Sequence, residues 1–200
     1  MSITPNMSPT LRQDVHYMLQ RYLDIFPGER QPLLRLNALL QSKFQSSAGC
    51  FDRTNMAGHV TVSAAVLSPD RSRILLVHDA ATDLWQPPGG HYEAPGSLWD
   101  AAASHVQDMA NVGDVALHPW CVSRGMPVDI QTYVIPENPQ AGEGSHPHHD
   151  FRYLAVARDA VVPIPSDEAA PAVRWTPREY LAGSRDARLV ALARKLDAFV

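Results

Sequence analysis

Four polar side chains near position 150 are of types, and at a spacing, that would allow them to bind a metal ion or an anion. His146, His148, Asp150 and Arg152 occupy every second position, so an extended chain would turn all four to one side and His149 to the other. Two imidazoles, a carboxylate and a guanidinium on one face are costly to bury without partners. Arg152, with His148 and Asp150, could bind an anionic substrate, and His146 could bind a metal ion. The alternative is a polar loop leading into a strand in which Asp150 and Arg152 pair with each other.

A second candidate pair, His105 and Asp108, lies three positions apart in an alanine-rich segment. Residues at this spacing share one face of a helix. An imidazole in such a pair suits Zn²⁺, Mn²⁺ or Fe²⁺ better than Mg²⁺, which prefers oxygen ligands. The pair therefore predicts either a catalytic metal site with altered ligands or two solvated residues. Ser97 and Asp100 form an approximate capping box, which predicts that the helix begins there and runs to about Ala110.

Apolar periodicity and turn signals predict the elements that would position these residues. A Ser-Pro start at 8–9 opens an amphipathic helix that Pro27-Gly28 ends, and a second helix, with Phe44 on its apolar face, follows Pro32. Strands are predicted at His59–Leu67, Ile74–Asp79, Val115–Arg124, Val128–Ile135 and Phe151–Arg158. Helices are predicted after a capping box at Thr176–Glu179 and from about Arg185 to Phe199, and Ala141–Asp150 is predicted to be a loop.

These elements mix strands and helices without a regular βαβ alternation. The pattern predicts an α+β fold in which a mixed sheet lies between helices, an α/β/α sandwich. Two short amphipathic helices cannot bury their apolar stripes alone. We therefore expect the N-terminal helices to form a cap packed on the domain that follows, with a homodimer interface or a substrate lid as the alternative.

Composition excludes several classes of protein. The 200 residues include 17 Lys and Arg against 21 Asp and Glu, for a net charge of −4, so no basic excess is available to neutralise a nucleic-acid backbone. The apolar runs are too short to span a membrane, and the first ten residues lack the pattern of a secretory signal. With two cysteines, Cys50 and Cys121, a reducing cytoplasm is the expected location.

The segment Gly89–Val112 (GGHYEAPGSLWDAAASHVQDMANV) resembles the Nudix box, whose pattern is G-x5-E-x7-R-E-U-x-E-E-x-G-U with U aliphatic. In that box, carboxylates on one helix face hold Mg²⁺ against a diphosphate. Without gaps, the glycine position falls on Gly90 and the aliphatic positions on Val106 and Val112. The four glutamate positions fall on Gly96, His105, Asp108 and Met109, and the arginine position on Ser104. The frame is kept, but only Asp108 stays acidic, so the box is degenerate.

Segments outside the box extend the resemblance over about residues 30–185. RTNMAGHVTVSAAVL, ILLVH, WQPPGGHYE, PVDIQTYVIP, HPHHDFRYLAVA and VRWTPREYL look like successive parts of a bacterial Nudix subfamily with an N-terminal helical extension. The resemblance implies a Nudix-type sheet between helices. It also implies a helical extension over residues 1–55 and a Nudix-like domain over 56–200.

The resemblance further implies a divalent metal cofactor and a small-molecule substrate. Gly90, His91 and Glu93 would lie near the metal, and Glu168 would supply an extra catalytic carboxylate from a loop. Tyr92 could stack on a substrate ring. The expected function is metal-dependent hydrolysis of a nucleoside-diphosphate-linked or related phosphorylated small molecule, with weak or repurposed chemistry. The alternative is an inactive Nudix-like module that binds a ligand as a sensor.

Overall fold

A computed structural model describes residues 9–41, 49–79, 82–93, 96–137, 144–159, 161–165 and 172–200. Their contacts group them into two compact units. The first unit contains the described residues of 1–59 and 132–149, and the second those of 60–131 and 150–200. The predicted division at residue 55 stays a prediction. In the structure, the described residues of 132–149 group with the N-terminal helices.

The first unit begins with the two predicted helices. Helix α1 spans Pro9–Ile25, a short 3₁₀ helix spans Pro27–Glu29, and α2 spans Leu34–Gln41. The apolar stripes of α1 and α2 are buried and face each other. The amide of Gln20 also donates to the side-chain carbonyl of Asn37 across the pair (2.9 Å). The predicted cap at Ser8 and the apolar contact of Phe44 lie outside the described residues.

Eight strands form one sheet. They are β1 (His59–Leu67), β2 (Arg73–Asp79), β3 (Leu84–Gln86), β4 (Gly89–His91), β5 (Val115–Leu117), β6 (Asp129–Ile135), β7 (His146–Ala157) and β8 (Val173–Pro177). The order along the sheet is β3, β2, β1, β7, β5, and in addition β4 pairs with β1, β6 with β7 and β8 with β2.

The described residues of the second unit form three α-helices and a 3₁₀ helix. They are α3 (Leu98–Ala110), α4 (Pro119–Arg124), the 3₁₀ helix Arg178–Gly183 and α5 (Ala187–Phe199). With the sheet, these helices confirm the predicted α+β class. The capped start of α3 at Ser97 is confirmed as well, because both hydrogen bonds of the capping box are present.

Two local predictions of strand and loop are wrong for identifiable reasons. The strand predicted at Val115–Arg124 ends after three residues, because His118 caps α4 and Pro119 takes its first position. The predicted loop at Ala141–Asp150 is a strand from His146 onward. Pro147 is tolerated as the second residue of β7, close to the strand end where a missing N–H costs least.

The capping box predicted at Thr176–Glu179 is also wrong. Thr176 is buried in β8 opposite Ile74, so its hydroxyl does not cap the turn that follows. Pro177 takes the N-cap position without a side-chain hydrogen bond, and the turn is 3₁₀. Across the described residues, no helix has the length and apolar character needed to cross a bilayer.

Candidate functional site

The junction between β4 and α3 in the second unit holds His105 against the glycine loop. β4 pairs antiparallel with β1, with Gly90 opposite Val62. Nε2 of His105 donates to the carbonyl oxygen of His91 at 2.9 Å. A Cβ on Gly90 would lie 2.6 Å from Cε1 of His105, so this position needs glycine to let the imidazole approach. The half-buried His105 ring is therefore fixed on the backbone of the loop.

The start of α3 is closed by its own polar groups. The backbone N–H of Asp100 donates to the hydroxyl of Ser97 (3.1 Å), and the Asp100 carboxylate accepts from the Ser97 N–H (3.0 Å). The Ser97 hydroxyl also donates to the Asp100 carboxylate (2.8 Å), and this bond together with that from the Ser97 N–H holds the pKa of Asp100 below its ordinary value. The Tyr92 hydroxyl donates to the carbonyl of Gly96 (2.6 Å), and burial raises the Tyr92 pKa. Tyr92 is only 5% exposed, and its stacking on a substrate stays a prediction.

The helix face that would carry a Mg²⁺ site holds few oxygen ligands. Asp108 is exposed and accepts a hydrogen bond from the Ser104 hydroxyl (3.2 Å), and Glu93 is exposed in the loop before the helix. Asp100, the other acid of α3, is engaged in the cap. Mg²⁺ binds oxygen ligands in near-octahedral geometry, and His105 offers nitrogen whose Nε2 proton is committed to the loop. The described residues of α3 do not fit the carboxylate cluster of a Nudix box.

A buried ion network occupies the sheet of the second unit. Arg152 donates from Nη2 to Asp150 (3.0 Å), from Nη1 to Asp129 (3.5 Å) and from Nε to the Ser63 hydroxyl (3.1 Å). Nζ of Lys195, from α5, lies 2.5 Å from the other oxygen of Asp129. Two cations thus meet two carboxylates. The pairing of Asp150 with Arg152 matches the structural alternative of the sequence analysis, and a substrate role for either residue stays a prediction.

Sequence reasoning missed three members of this network. Ser63 lies in the predicted strand β1 but alternates with apolar residues, and that polar alternation within a buried strand was the available signal. The Ser63 hydroxyl donates to Asp150 at 2.7 Å. Asp129 and Lys195 are distant in sequence, and only the fold brings α5 to β6.

The first unit contains a cluster of three imidazoles. His59 begins β1, and His146 and His148 begin β7. Nε2 of His146 lies 3.1 Å from Nε2 of His148, and the His59 ring centroid lies 4.9 Å and 4.6 Å from those of His146 and His148. His146 and His148 therefore lie on one face of the strand, as expected from their spacing. His59 was missed, although it opens the same polar alternation as Ser63.

His149 points to the opposite side of β7. Its Nδ1 hydrogen-bonds with the Thr132 hydroxyl (2.8 Å), and Gly58 lies so close that a Cβ there would be 2.8 Å from Nε2. Burial, reinforced by the positive charge of Arg35, lowers the His149 pKa to about 4. His149 is therefore neutral at physiological pH. Glu168, the predicted loop carboxylate, lies outside the described residues.

Known proteins resemble the chain in structure rather than in sequence. Neither a family model nor a curated protein sequence matches it. An Ap4A hydrolase from C. elegans, in a binary complex, shares 18% identity over 70% of this chain and 96% of that chain, with a TM-score of 0.54. A NUDIX-family hydrolase from Clostridium perfringens shares 22% over 71% and 98% (TM-score 0.53). The MutT protein of Methanosarcina mazei Go1 shares 14% over 72% and 96% (TM-score 0.52). The chain has the fold of the Nudix hydrolases.

Proposed function

We propose that the protein is a Nudix-type hydrolase of a nucleoside-diphosphate-linked or related phosphorylated small molecule, with slow turnover in the presence of Mg²⁺. The observation that carries this proposal is the β4–α3 junction. There the glycine loop and the capped helix keep the frame of the box, with His105 bound to the loop carbonyl of His91. Hydrolase activity is named for two of the solved structures of similar fold, one of them an Ap4A hydrolase. A small-molecule substrate agrees with the net charge of −4.

Slow turnover follows from the groups that α3 presents. Removing one well-placed electrostatic group from an active site typically lowers the rate about 10²–10³-fold. Here three of the four glutamate positions carry residues without a carboxylate, and the arginine position carries Ser104. Effects within one site are not additive, so we expect a loss of several orders of magnitude rather than the product of the single effects.

The direct test measures hydrolysis of ADP-ribose and Ap4A by the full chain, with Mg²⁺, Mn²⁺ and Zn²⁺ in separate reactions. Nucleotide products are separated by chromatography. The proposal expects slow but enzyme-dependent cleavage that a metal-free control lacks. A turnover near about 10 s⁻¹ with Mg²⁺, the ordinary median for enzymes, would contradict the slow-turnover claim. No cleavage of either compound with any of the three metals would contradict the hydrolase proposal.

A second candidate is a Nudix-fold module that binds its ligand without cleaving it. It is favoured by the small number of acids on α3, where Asp100 is engaged in the helix cap and Asp108 is the remaining carboxylate. Calorimetry with ADP distinguishes this candidate, because it expects binding that needs no metal and yields no product.

Restoring the acidic residues of the box distinguishes a site that has only lost its carboxylates from one that has been rebuilt for other chemistry. In the variant Ser104→Arg, His105→Glu and Met109→Glu, new carboxylates would join Asp108 on α3. Since oxygen ligands at that spacing suit Mg²⁺, the variant should gain Mg²⁺ binding and faster hydrolysis of ADP-ribose. The matched control is Ser104→Arg alone, which adds the arginine without a carboxylate and should show neither gain. Equal rates in both variants would show that the missing carboxylates do not limit the reaction.

A further inference from the structure

The three imidazoles of the first unit are arranged as nitrogen ligands of a metal ion usually are. The ring centroids of His59, His146 and His148 form a triangle with sides of 4.6, 4.9 and 5.0 Å. Ligand nitrogens of His59 and His148 lie within 4.8 Å of each other. His59 and His146 are 1% and 2% exposed, whereas His148 is half-buried. The cluster is thus buried at His59 and His146 and partly exposed at His148.

Backbone hydrogen bonds set the tautomers of two of these rings. Nδ1 of His146 lies 2.7 Å from the carbonyl oxygen of Gly144, and Nδ1 of His59 lies 3.3 Å from that of Asn55. A carbonyl oxygen can only accept, so in the neutral form of each ring Nδ1 carries the proton and Nε2 presents its lone pair. Metal-binding histidines characteristically donate their other N–H to a backbone carbonyl or carboxylate in this way.

The distances also suit coordination. Zn²⁺ binds imidazole nitrogen at about 2.0–2.1 Å. Nitrogens bound to one ion at angles of about 90–110° are therefore about 3.0–3.4 Å apart, and the ring centroids about 4.5–5.2 Å apart. The nitrogens of His146 and His148 are 3.1 Å apart, and all three centroid distances fall within the second range.

We propose that His59, His146 and His148 bind one divalent transition-metal ion of the Zn²⁺ class. Imidazole suits Zn²⁺, Cu²⁺, Fe²⁺ and Ni²⁺, whereas Mg²⁺ prefers oxygen. Three protein ligands leave a fourth position for water or a small ligand, which is the pattern of catalytic rather than structural zinc sites. The alternative is a metal-free pair in which Nε2–H of His148 donates to Nε2 of His146.

The experiment measures Zn²⁺ binding by the full chain after dialysis against a chelator, by calorimetry and elemental analysis. We expect one equivalent per chain. His148→Gln changes the half-buried ligand and should weaken binding at least about 100-fold, since loss of an outer-shell partner alone costs about 10–100-fold. The matched control is His78→Gln, which removes a half-buried imidazole paired with Asp83 and should leave Zn²⁺ binding unchanged. Unchanged binding in His148→Gln would overturn the proposal, as would the absence of stoichiometric binding.

A measurement on the unmutated protein covers the case in which His148→Gln does not fold. Nitrogen NMR of the imidazoles distinguishes protonated, lone-pair and metal-bound atoms. Adding Zn²⁺ should shift the Nε2 resonances of His59, His146 and His148 together while their Nδ1–H protons stay in place. Unchanged resonances would establish the metal-free pair instead. The site does not depend on the hydrolase activity, because neither readout measures cleavage of a diphosphate.

Discussion

Replacing Arg152 by methionine tests whether the buried ion network of the second unit stabilises the folded protein. Arg152 is 4% exposed, and its guanidinium contacts Asp150, Asp129 and Ser63. Methionine keeps much of the apolar stem but removes the charge. The two carboxylates would then share one remaining cation, Lys195.

The expected loss of stability follows from the buried charge that Arg152→Met leaves without a partner. Removing one partner of a buried ion pair typically costs about 3–5 kcal/mol, because a charge stays buried without compensation. For a chain of this length, each 1 kcal/mol lowers the melting temperature by about 2–4 °C. We therefore expect Arg152→Met to lower it by about 6–20 °C. In the double variant Arg152→Met and Asp150→Asn, one carboxylate again faces one ammonium, so part of the stability should return.

The assays are thermal unfolding and urea unfolding, both followed by circular dichroism, with Arg158→Met as the matched control. Arg158 follows β7 and pairs with Asp114 at 3.0 Å, but both side chains are about two-thirds exposed (67% and 66%). Exposed pairs contribute about 0–1 kcal/mol, so this variant should unfold almost as the original protein does. If Arg152→Met also lowers the free energy of unfolding by less than about 1 kcal/mol, the network does not stabilise the fold in solution. The predicted binding of an anionic substrate by Arg152 would then be the better explanation of this residue.

Three further outcomes can be measured on single variants or on the unmutated chain. Ser97→Ala removes the cap of α3 and should lower the free energy of unfolding by about 1 kcal/mol in the same urea assay. Burial raises the pKa of Cys121 to about 11, so only about one thousandth is thiolate at pH 8. Mass spectrometry should therefore find this thiol alkylated at least about 100-fold faster in urea than in the folded protein. Burial alone would raise the pKa of Asp186, but hydrogen bonds from Arg188 hold it below the ordinary 3.8. Asp186→Asn should therefore be less stable than the original protein above pH 4, and this difference should vanish as pH falls through the lowered pKa.

The sequence predicted those elements whose local signals agree with their tertiary setting. The helix at α3 has a capping box, an alanine-rich body and an apolar face, and it was predicted to within a residue. Strand β1 was predicted with its observed bounds, because nine residues of high strand propensity follow a glycine. The errors occurred where a cap or a proline competed with the strand pattern, as at His118 and Pro147.

The candidate sites were predictable only as far as neighbours in sequence are neighbours in space. Pairing within β7, of His146 with His148 and of Asp150 with Arg152, follows from alternation along one strand. The residues that other elements contribute to these sites could not be predicted from the local sequence. Lys195 comes from a helix more than sixty positions after the carboxylate it contacts, and loop-closing contacts of that length leave no periodic signal.

Polar alternation along β1 nevertheless carries a physical constraint. A strand with polar side chains at every second position on a buried face must meet complementary groups on its neighbour, because unpaired polar groups cost free energy there. Within the second unit, the Ser63 hydroxyl hydrogen-bonds with Asp150 and Arg152, and these two opposite charges pair with each other. Within the first unit, His59 meets His146 and His148. Those groups are imidazoles that offer lone pairs rather than opposite charges. An ion pair satisfies itself, whereas a group of lone pairs is complemented by a cation. The same sequence pattern thus gives a structural ion network in one unit and, in the other, the three imidazoles for which we propose a metal ion.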